Sequence, residues 1–519
     1  MVPIALSRRW LSAIAVVAAG AGVFWAFDSL PYQDLPAHAG LIALRHRLAA
    51  GSSFEGSFYT LSPRFGPYSA FRWAGDLLAA LFGPVRAVRT LMTLPVLALP
   101  ASLGWARHRL QGDGAATAVL IGACLSFGFL TVLGFASYLL GVAALTVAYA
   151  LLIVAVGEAA ESTGLLPRTE ALLAGAGVIV LLTHGFAFVV FVGLATSATL
   201  AATTIARMRY FRSLVPSLVL AGLMASPGRD GSSTHGGVQG MPPGVHFAGA
   251  VDKLGLLFSP TLTTRWGVDL GVGCLLWVLL AASLVATVRA HRSWRESHPR
   301  LRGALGALVA LFAAFLCCPR AIGWFGFVDG RLVPLPWIVA VLAMERAAMP
   351  RWARVVWDEG VPVAAAAIVL IAWLASYRFQ SEASGWRRVL GRVPERSTLL
   401  NLPLDPDSDV VTGHPFVHYD KLALAERPLV VSDVWFQQGT ALGPTPQNPA
   451  LRLPAEYSES NLQRIGWSSY RLEDWDYVLL RTKPDAPFPA PGVPPGLGLV
   501  AHDGGWWLLA RSGAGTPAP

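Results

Sequence analysis

The stretch Pro31-Tyr32-Gln33-Asp34-Leu35-Pro36-Ala37-His38 follows the first long apolar run of the chain. It places a carboxylate and an imidazole one helical turn apart. The apolar run, Trp10 to Phe27, is preceded by Arg8 and Arg9, and basic residues mark the cytoplasmic end of a span. We therefore expect a retained first span, a cytoplasmic N-terminus, and the Asp34 stretch at the outer face of the membrane.

The composition is typical of a membrane protein. Of the 519 residues, 54% are hydrophobic and 14% are charged, against about 25% charged in ordinary soluble chains. The apolar residues form about eleven long runs that suit bilayer-spanning helices. We predict a polytopic α-helical membrane protein with about eleven transmembrane helices. The net charge of +9 comes from short basic clusters between the runs, which set topology, so no nucleic-acid partner is expected.

The first outer loop, residues 28–86, is predicted to carry two interfacial helices. Residues 36–49 and 69–83 each place apolar side chains along one helical face. The second segment also carries Arg72 and Asp76 at an i,i+4 spacing. A later apolar run, 171–206, is too long for one span, and we expect it to break at an outer turn that holds His184.

From about Tyr377 the long apolar runs stop, and charged residues, proline and tryptophan return. Leu429 to Trp435 and Tyr477 to Arg481 are predicted strands, and residues 497–509 predict a hairpin through Gly504-Gly505. The prediction is a transmembrane domain over residues 1–376 and a C-terminal extracytoplasmic α/β domain over residues 377–519.

The ionisable residues that topology does not require fall almost entirely on the predicted outer face. They are Asp28, Asp34, His38, Arg64, Arg72, Asp76, His184, Lys253, Arg320, Asp329 and Arg331. The span interiors hold almost no such groups, whereas ion-coupled transporters keep them near the middle of the bilayer. This distribution favours chemistry at the outer boundary over transport.

Several segments resemble the GT-C superfamily of bacterial glycosyltransferases. Gln33-Asp34-Leu35-Pro36-Ala37-His38 resembles the Gln-Asp-x-Pro-x-His loop of many members. Phe65-Gly66-Pro67-Tyr68, followed by Leu81-Phe82-Gly83 and Arg89, is similar to the family's next segment, and Asp329-Gly330-Arg331-Leu332-Val333-Pro334 resembles its late outer loop. A C-terminal extracytoplasmic α/β domain is also common in the family.

The resemblance implies transfer of a sugar from a polyprenyl-phosphate carrier to a lipid, glycan or protein acceptor at the outer face of the bacterial inner membrane. It implies an inverting cell-envelope enzyme with Asp34 as the base for the acceptor hydroxyl. Arg331 would clamp the leaving phosphate, because its planar fork matches the phosphate oxygens. The further candidate substrate-binding residues are His38, His184, Asp329 and Arg64.

One departure from the family concerns metal binding. Many members carry paired acidic residues in this loop and bind a divalent cation there, but Gln33 precedes Asp34 and Leu35-Pro36 follows it. The sequence therefore assigns no metal ligands and no cofactor, and leaves a divalent cation open.

Each candidate also has a purely structural interpretation. Asp34 can simply cap the helix that begins before Pro36. His38 can be an interfacial histidine with its hydrogen bonds satisfied, His184 a turn residue, and Arg331 a membrane anchor or the partner of Asp329. A membrane transporter and a non-enzymatic envelope assembly protein remain the alternative functions.

Overall fold

The computed structural model describes residues 7–61, 65–161, 167–200, 204–225, 244–261, 263–290, 299–322, 325–434, 441–454, 457–460, 462, 466–488 and 493–513. The first elements in chain order are α1 (Arg8–Ala26), α2 (Leu35–Ala49), α3 (Ser53–Gly56), β1 (Tyr59–Leu61), α4 (Ser69–Phe82), α5 (Pro84–Gln111), α6 (Ala115–Leu125), α7 (Phe129–Val132), α8 (Ala136–Glu161), α9 (Pro167–Thr183), α10 (Gly185–Leu200) and α11 (Thr204–Ala225). The next are β2 (Val245–His246), α12 (Ala250–Leu257), α13 (Val268–Ala290), α14 (Pro299–Cys317), β3 (Ala321–Ile322), β4 (Phe325–Gly326), α15 (Val328–Leu332), α16 (Pro334–Ala343) and α17 (Arg351–Glu382). The last are α18 (Trp386–Leu390), β5 (Ser397–Pro403), α19 (Asp420–Glu426), β6 (Leu429–Val431), β7 (Leu442–Pro444), β8 (Tyr477–Arg481), β9 (Leu497–Asp503) and β10 (Trp506–Arg511).

The protein is mostly helical, and several of its helices suit a membrane. Among the described residues, five helices are long and apolar enough to cross a bilayer: Arg8–Ala26, Pro84–Gln111, Ala136–Glu158, Val268–Ala290 and Arg351–Glu382. Shorter apolar helices cover Ala115–Leu125, Gly185–Ser197 and Leu301–Cys317. These helices share one large apolar core, and the count of about eleven spans stays a prediction.

The predicted break in the long apolar run is confirmed at His184, because α9 ends at Thr183 and α10 begins at Gly185. The apolar run over residues 115–133 is long enough for one span, but the structure divides it: α6 ends at Leu125 and only the short α7 follows. The reason is a close backbone approach at Gly128, where a Cβ would lie 2.0 Å from the carbonyl oxygen of Pro260. A continuous helix cannot make this approach, so the chain is extended at Gly128.

The two helices of the first outer loop have different surroundings. On α4, Trp73, Leu77 and Leu81 are exposed, as expected of a helix that lies in the lipid interface. On α2, by contrast, the apolar side chains are buried. The two helices are joined by an ion pair of 2.7 Å between Arg45 and Asp76, whose charge also acts on Arg72 within α4.

The described residues after α17 include a mixed five-stranded sheet in the order β6-β5-β8-β10-β9. Strand β5 pairs in parallel with β6 and with β8, and the crossover from β5 to β6 passes through α19. Strands β9 and β10 form the predicted antiparallel hairpin. Helix α17 continues to Glu382, past the predicted domain boundary at residue 376, and that boundary stays a prediction.

The sheet domain is docked on the first outer loop. Helix α2 packs against α19 at Gly40, where a Cβ would lie 2.9 Å from the backbone oxygen of Lys421. Strand β1 of the loop pairs with β7, and Arg47 donates a hydrogen bond of 2.7 Å to the carbonyl of Leu424. The residues after Asp34 are therefore covered by the C-terminal part of the chain.

Candidate active site

Asp34 stands at the N-terminus of α2, but its carboxylate does not cap the helix. Pro36 lies in the first helical turn, where its missing N–H costs nothing. Asp34 occupies the cap position with φ −88° and ψ −3°, and its side chain makes no capping hydrogen bond. The capping interpretation is therefore wrong, and the carboxylate is directed to other contacts.

The backbone around Asp34 is held from two sides. The N–H of Gln33 donates to the carbonyl of Val132 at 2.8 Å, at the end of α7. The side-chain oxygen of Gln33 accepts a hydrogen bond of 3.1 Å from the N–H of His414 in the C-terminal part. Gly134, with φ +84°, leaves space for the loop, because a Cβ there would lie 2.6 Å from the Cβ of Asp34. These contacts fix where the carboxylate points.

The Asp34 carboxylate lies in a buried and charged environment. Its side chain is 13% exposed, and Oδ1 lies 3.9 Å from Nε2 of His418. Burial raises the pKa of Asp34 to about 7, although the charges of His418 and Arg331 oppose the rise and that of Asp433 adds to it. A carboxyl group that titrates near neutral pH is well suited to general base chemistry.

Arg331, on α15, is held among aromatic rings. Its Cζ lies 4.0 Å from the ring centroid of Phe325 and 4.5 Å from that of Phe135. The hydroxyl of Tyr138 donates to the backbone oxygen of Arg331, and Nη2 donates to the carbonyl of Gly326 at 3.3 Å. The stacked rings fix the plane of the guanidinium.

One N–H donor of the Arg331 guanidinium makes no hydrogen bond within the described residues. Its side chain hydrogen-bonds Tyr68 and its charge acts on Asp34, but in the part of the chain that the structure describes, the buried Nε has no partner. Burial lowers the pKa of Arg331, yet a guanidinium stays protonated at neutral pH. The site therefore holds a fixed positive charge with an unused donor.

His184 lies beside Arg331 as a packing residue. Its ring makes edge contacts with Tyr68 and Tyr138, with centroids 4.9 Å and 5.0 Å away. Its Nδ1 accepts a hydrogen bond of 3.2 Å from the N–H of Phe186, so the proton of the neutral ring is on Nε2. His184 therefore supports both tyrosines that contact Arg331.

His38 is close to Asp34 but faces other groups. Its ring packs edge-on against Phe71, with centroids 5.2 Å apart, and it hydrogen-bonds the backbone of Gly134. Burial and the charge of Arg45 lower the pKa of His38 to about 4, so the ring is neutral. These contacts match the interpretation of His38 as a satisfied histidine that anchors α2.

Of the two remaining candidates, the structure describes only Asp329, which pairs away from the Asp34 carboxylate. Asp329 is fully buried, accepts a hydrogen bond of 2.7 Å from the N–H of Gly330, and lies 3.7 Å from Arg320. Asp329 therefore pairs with Arg320, whereas Arg331 packs against aromatic rings. Arg64 lies outside the described residues.

A second group of charged residues, which the sequence interpretation missed, meets Asp34 from the C-terminal part of the chain. His418 Nδ1 lies 2.8 Å from Oε2 of Glu459, and Lys421 Nζ lies 2.6 Å from Oε1 of Glu459 and 3.1 Å from Asp420. All four side chains are almost completely buried. We call His418, Asp420, Lys421, Asp433 and Glu459 the domain-interface cluster.

Three members of the domain-interface cluster have ligand types that metals use. Atoms of His418, Asp433 and Glu459 lie within 4.8 Å of one another. Both oxygens of Glu459 are already bonded, however, and the ammonium of Lys421 supplies the positive charge that a metal ion would supply. These residues do not fit a resident divalent cation, and no chemistry is derived from one.

Only one member of this cluster has a signal in the sequence. Asp433 closely follows β6, and groups at the carboxyl ends of parallel strands commonly face ligands. His418 and Glu459 lie in irregular segments with no periodic pattern. Their contact with Asp34 depends on how the two parts of the chain pack, which no local pattern reports.

The charge of Arg331 thus acts on Asp34, His184 packs on the two tyrosines that contact Arg331, and His418 meets Asp34 from the C-terminal part. A buried carboxylate that titrates near neutral pH can accept a proton. A guanidinium with an unused donor can bind an oxyanion such as a phosphate. The combination suits displacement of a phosphate by a hydroxyl.

Known proteins resemble this chain in structure. No family model matches the sequence, and neither does any curated protein. The crystal structure of ArnT from Cupriavidus metallidurans bound to undecaprenyl phosphate has a TM-score of 0.55 and 14% identity, over 99% of this chain and 100% of that one. The apo structure of the same protein has a TM-score of 0.55 and 13% identity, over 98% and 99% of the two chains. The archaeal oligosaccharyltransferase AglB from Archaeoglobus fulgidus matches with a TM-score of 0.49 and 12% identity, over 91% and 69%.

At these identities the ArnT likeness concerns the fold, and it extends over nearly the full length of both chains. The chain therefore shares its fold with ArnT, and the fold that the GT-C resemblance implies is confirmed.

Proposed function

We propose that this protein transfers a sugar from a polyprenyl-phosphate-linked donor to an acceptor hydroxyl at the outer face of the membrane. The observation that carries the proposal is that Asp34, a buried carboxylate, lies close enough to Arg331, a buried guanidinium with an unused donor, for their charges to act on each other. The reaction needs these two groups at one place. It needs a base for the attacking oxygen and a positive charge for the departing phosphate.

The proposed reaction is a single inverting displacement. The acceptor oxygen attacks the anomeric carbon and gives its proton to Asp34. The bond between the anomeric carbon and the phosphate oxygen breaks, and its electron pair leaves with the carrier phosphate. Arg331 neutralises the charge that develops on this phosphate, at a site where low polarity strengthens the interaction.

Two observations support a lipid-linked donor. The ArnT structure with the same fold contains undecaprenyl phosphate. Helix α4, which follows Tyr68, exposes Trp73, Leu77 and Leu81, so a lipid-facing surface begins close to the residue that hydrogen-bonds Arg331. A carrier whose phosphate reaches Arg331 can keep its chain in the bilayer.

The orientation that this function requires is part of the proposal. We place the N-terminus in the cytoplasm, about eleven spans in the inner membrane, and the α/β domain of residues 377–519 outside. The basic residues Arg8 and Arg9 before α1 support this orientation. The acceptor is then an envelope lipid, glycan or protein.

The test uses the full-length protein in liposomes with a panel of radiolabelled undecaprenyl-phosphate-linked hexoses and pentoses and a bacterial membrane extract as acceptor. We expect label in the acceptor fraction from at least one donor, in the anomeric configuration opposite to that of the donor. Retention of configuration would contradict the single displacement. Movement of the label across the membrane without bond formation would favour a transporter and overturn the proposal.

A further inference from the structure

The C-terminal part of the chain places a histidine against the candidate base. His418 lies between β5 and α19 and is 6% exposed. Its Nε2 lies 3.9 Å from Oδ1 of Asp34, within reach of an ion pair. In the part of the chain that the structure describes, no other cationic side chain lies within ion-pair distance of Asp34.

The orientation of the His418 ring is fixed from its other side. Nδ1 lies 2.8 Å from Oε2 of Glu459, a hydrogen bond in which the ring nitrogen donates to the carboxylate. Because Nδ1 faces Glu459, Nε2 must face Asp34. A carboxylate that orients a histidine in this way sets both the ring angle and the position of its proton.

Glu459 is itself tightly held. Its Oε1 accepts hydrogen bonds from Lys421 at 2.6 Å, from the hydroxyl of Tyr457 at 3.3 Å, and from Ser432 at 3.4 Å. Glu459 is 4% exposed and Lys421 is 2% exposed, so water does not compete for these bonds. Such a network costs too much to bury unless its geometry is well satisfied.

The packing of the C-terminal part of the chain against α2 and the residues before it holds His418 next to Asp34. The hydrogen bond from His414 to Gln33 joins the segment of His418 to the residue before Asp34. Helix α19, which follows His418, packs against α2 with almost no space at Gly40. His418 and Asp34 are therefore held by neighbours on both sides of each residue.

We propose that His418, oriented by Glu459, is a positioning residue for Asp34, so that the C-terminal part of the chain completes the active site of the membrane domain. The inference rests on the proposed function, since it assigns a role toward the base of that reaction. The imidazole holds the carboxylate in the direction of the acceptor oxygen and balances its negative charge. Burial alone would lower the pKa of His418, but the hydrogen bond to Glu459 and the nearby carboxylates raise it, which agrees with this use.

The experiment compares variants of the full-length protein in the liposome transfer assay, with the donor that the wild type accepts. His418→Asn keeps an amide near Nδ1 for Glu459 but removes Nε2, and Glu459→Gln removes the charge that orients the ring. The matched control is His502→Asn, which makes the same substitution at an exposed histidine of β9 whose ring stacks on Trp507. Asp34→Asn is measured in parallel.

We expect His418→Asn and Glu459→Gln to lower kcat by about tenfold to a hundredfold, with KM for the donor unchanged and the control at the wild-type rate. Combining His418→Asn with Asp34→Asn should cause no further loss, because the histidine acts through the carboxylate. A structural role would instead lower the Tm and change kcat and KM together. If His418→Asn is unstable, His418→Ala and Glu459→Gln are compared at a temperature where both are folded.

The failure of this inference differs from the failure of the proposed function. A wild-type kcat in His418→Asn, beside an inactive Asp34→Asn, overturns the role of His418 and leaves the base in place. Full activity of Asp34→Asn removes the base itself, and the inference with it. A stoichiometric metal ion in the purified wild type that is absent from His418→Asn, detected by elemental mass spectrometry, also overturns the positioning role.

Discussion

Nε2 of His418 lies 3.9 Å from Oδ1 of Asp34, although one residue precedes α19 in the C-terminal part of the chain and the other begins α2 near its N-terminus. The contact shows that the two parts of the chain share one buried polar site. The ionisation of the Asp34 carboxylate therefore depends on charged residues from both parts of the chain.

The pH dependence of transfer follows from the pKa of Asp34. Burial raises this pKa to about 7, and only the ionised carboxylate can accept a proton. We expect kcat to be half-maximal near pH 7, to reach a plateau above pH 8, and to fall about tenfold for each unit below pH 6. The measurement is kcat from pH 5 to pH 9 at saturating donor, and a flat profile down to pH 5 would exclude Asp34 as the base.

Replacing Asp34 should stabilise the fold at alkaline pH. The carboxyl has a pKa of about 7 in the folded protein against an ordinary value of 3.8, so the folded state binds more protons between these values and its stability falls as pH rises through them. An asparagine side chain at this position carries no such penalty, because it does not ionise. At pH 8 we expect Asp34→Asn to be more stable by up to about 4 kcal/mol, and at pH 4 the advantage should vanish.

The measurement for this prediction is the Tm of the purified protein in detergent at both pH values. The matched control is Asp28→Asn, which changes an exposed carboxylate of the same loop whose side chain is 76% exposed. An equal Tm for Asp34→Asn and wild type at pH 8 would show that the carboxylate is not strained by burial.

Arg331 is expected to hold the carrier phosphate. Arg331→Ala should weaken binding of undecaprenyl phosphate by roughly tenfold to a hundredfold, the value of a hydrogen bond to a charged group. Arg331→Lys should recover only part of the loss, because an ammonium lacks the planar fork. Binding is measured as the thermal shift that undecaprenyl phosphate produces.

Arg378 offers a matched control for this experiment. Its guanidinium also stacks on an aromatic ring, with Cζ 4.8 Å from the centroid of Trp266, but the residue is exposed. Arg378→Ala should bind undecaprenyl phosphate as the wild type does. Equal weakening in both variants would point to a general charge effect and contradict the clamp.

Lys421 is expected to stabilise the domain-interface cluster. Lys421→Met would leave the buried carboxylates of Asp420 and Glu459 without their cation, and breaking a buried pair in this way costs about 3–5 kcal/mol. The Tm should fall clearly. In the control Lys483→Met, the exposed pair with Asp409 is lost, and the Tm should not change measurably. A stable Lys421→Met protein would mean that the cluster carries less charge than its geometry indicates.

Much of the membrane part follows from local patterns in the sequence. The break at His184 is predictable because an apolar run longer than a bilayer must turn. Asp34 and Arg331 stand out because the chain has few charges and these two fall in loops that the sequence predicts to be outside the membrane. The break at Gly128 is not predictable in this way, because its cause is the backbone of Pro260, which is distant in sequence.

The domain-interface cluster was not predicted either, because its contacts join residues that are distant in sequence. His418, Glu459 and Lys421 acquire their roles only when α19 docks on α2, and hydrophobic periodicity carries no information about that contact. The capping role of Asp34, by contrast, was predicted from a local pattern and is not observed. The carboxylate makes tertiary contacts in place of the capping hydrogen bond.

The most direct test of the whole account is the rate of sugar transfer by Asp34→Asn in liposomes, with donor binding measured in the same preparation. The asparagine keeps the shape of the side chain and removes only its ability to accept the proton. We expect kcat to fall by about a hundredfold to ten-thousandfold while undecaprenyl phosphate still binds. Transfer at the wild-type rate would contradict the assignment of Asp34 as the base.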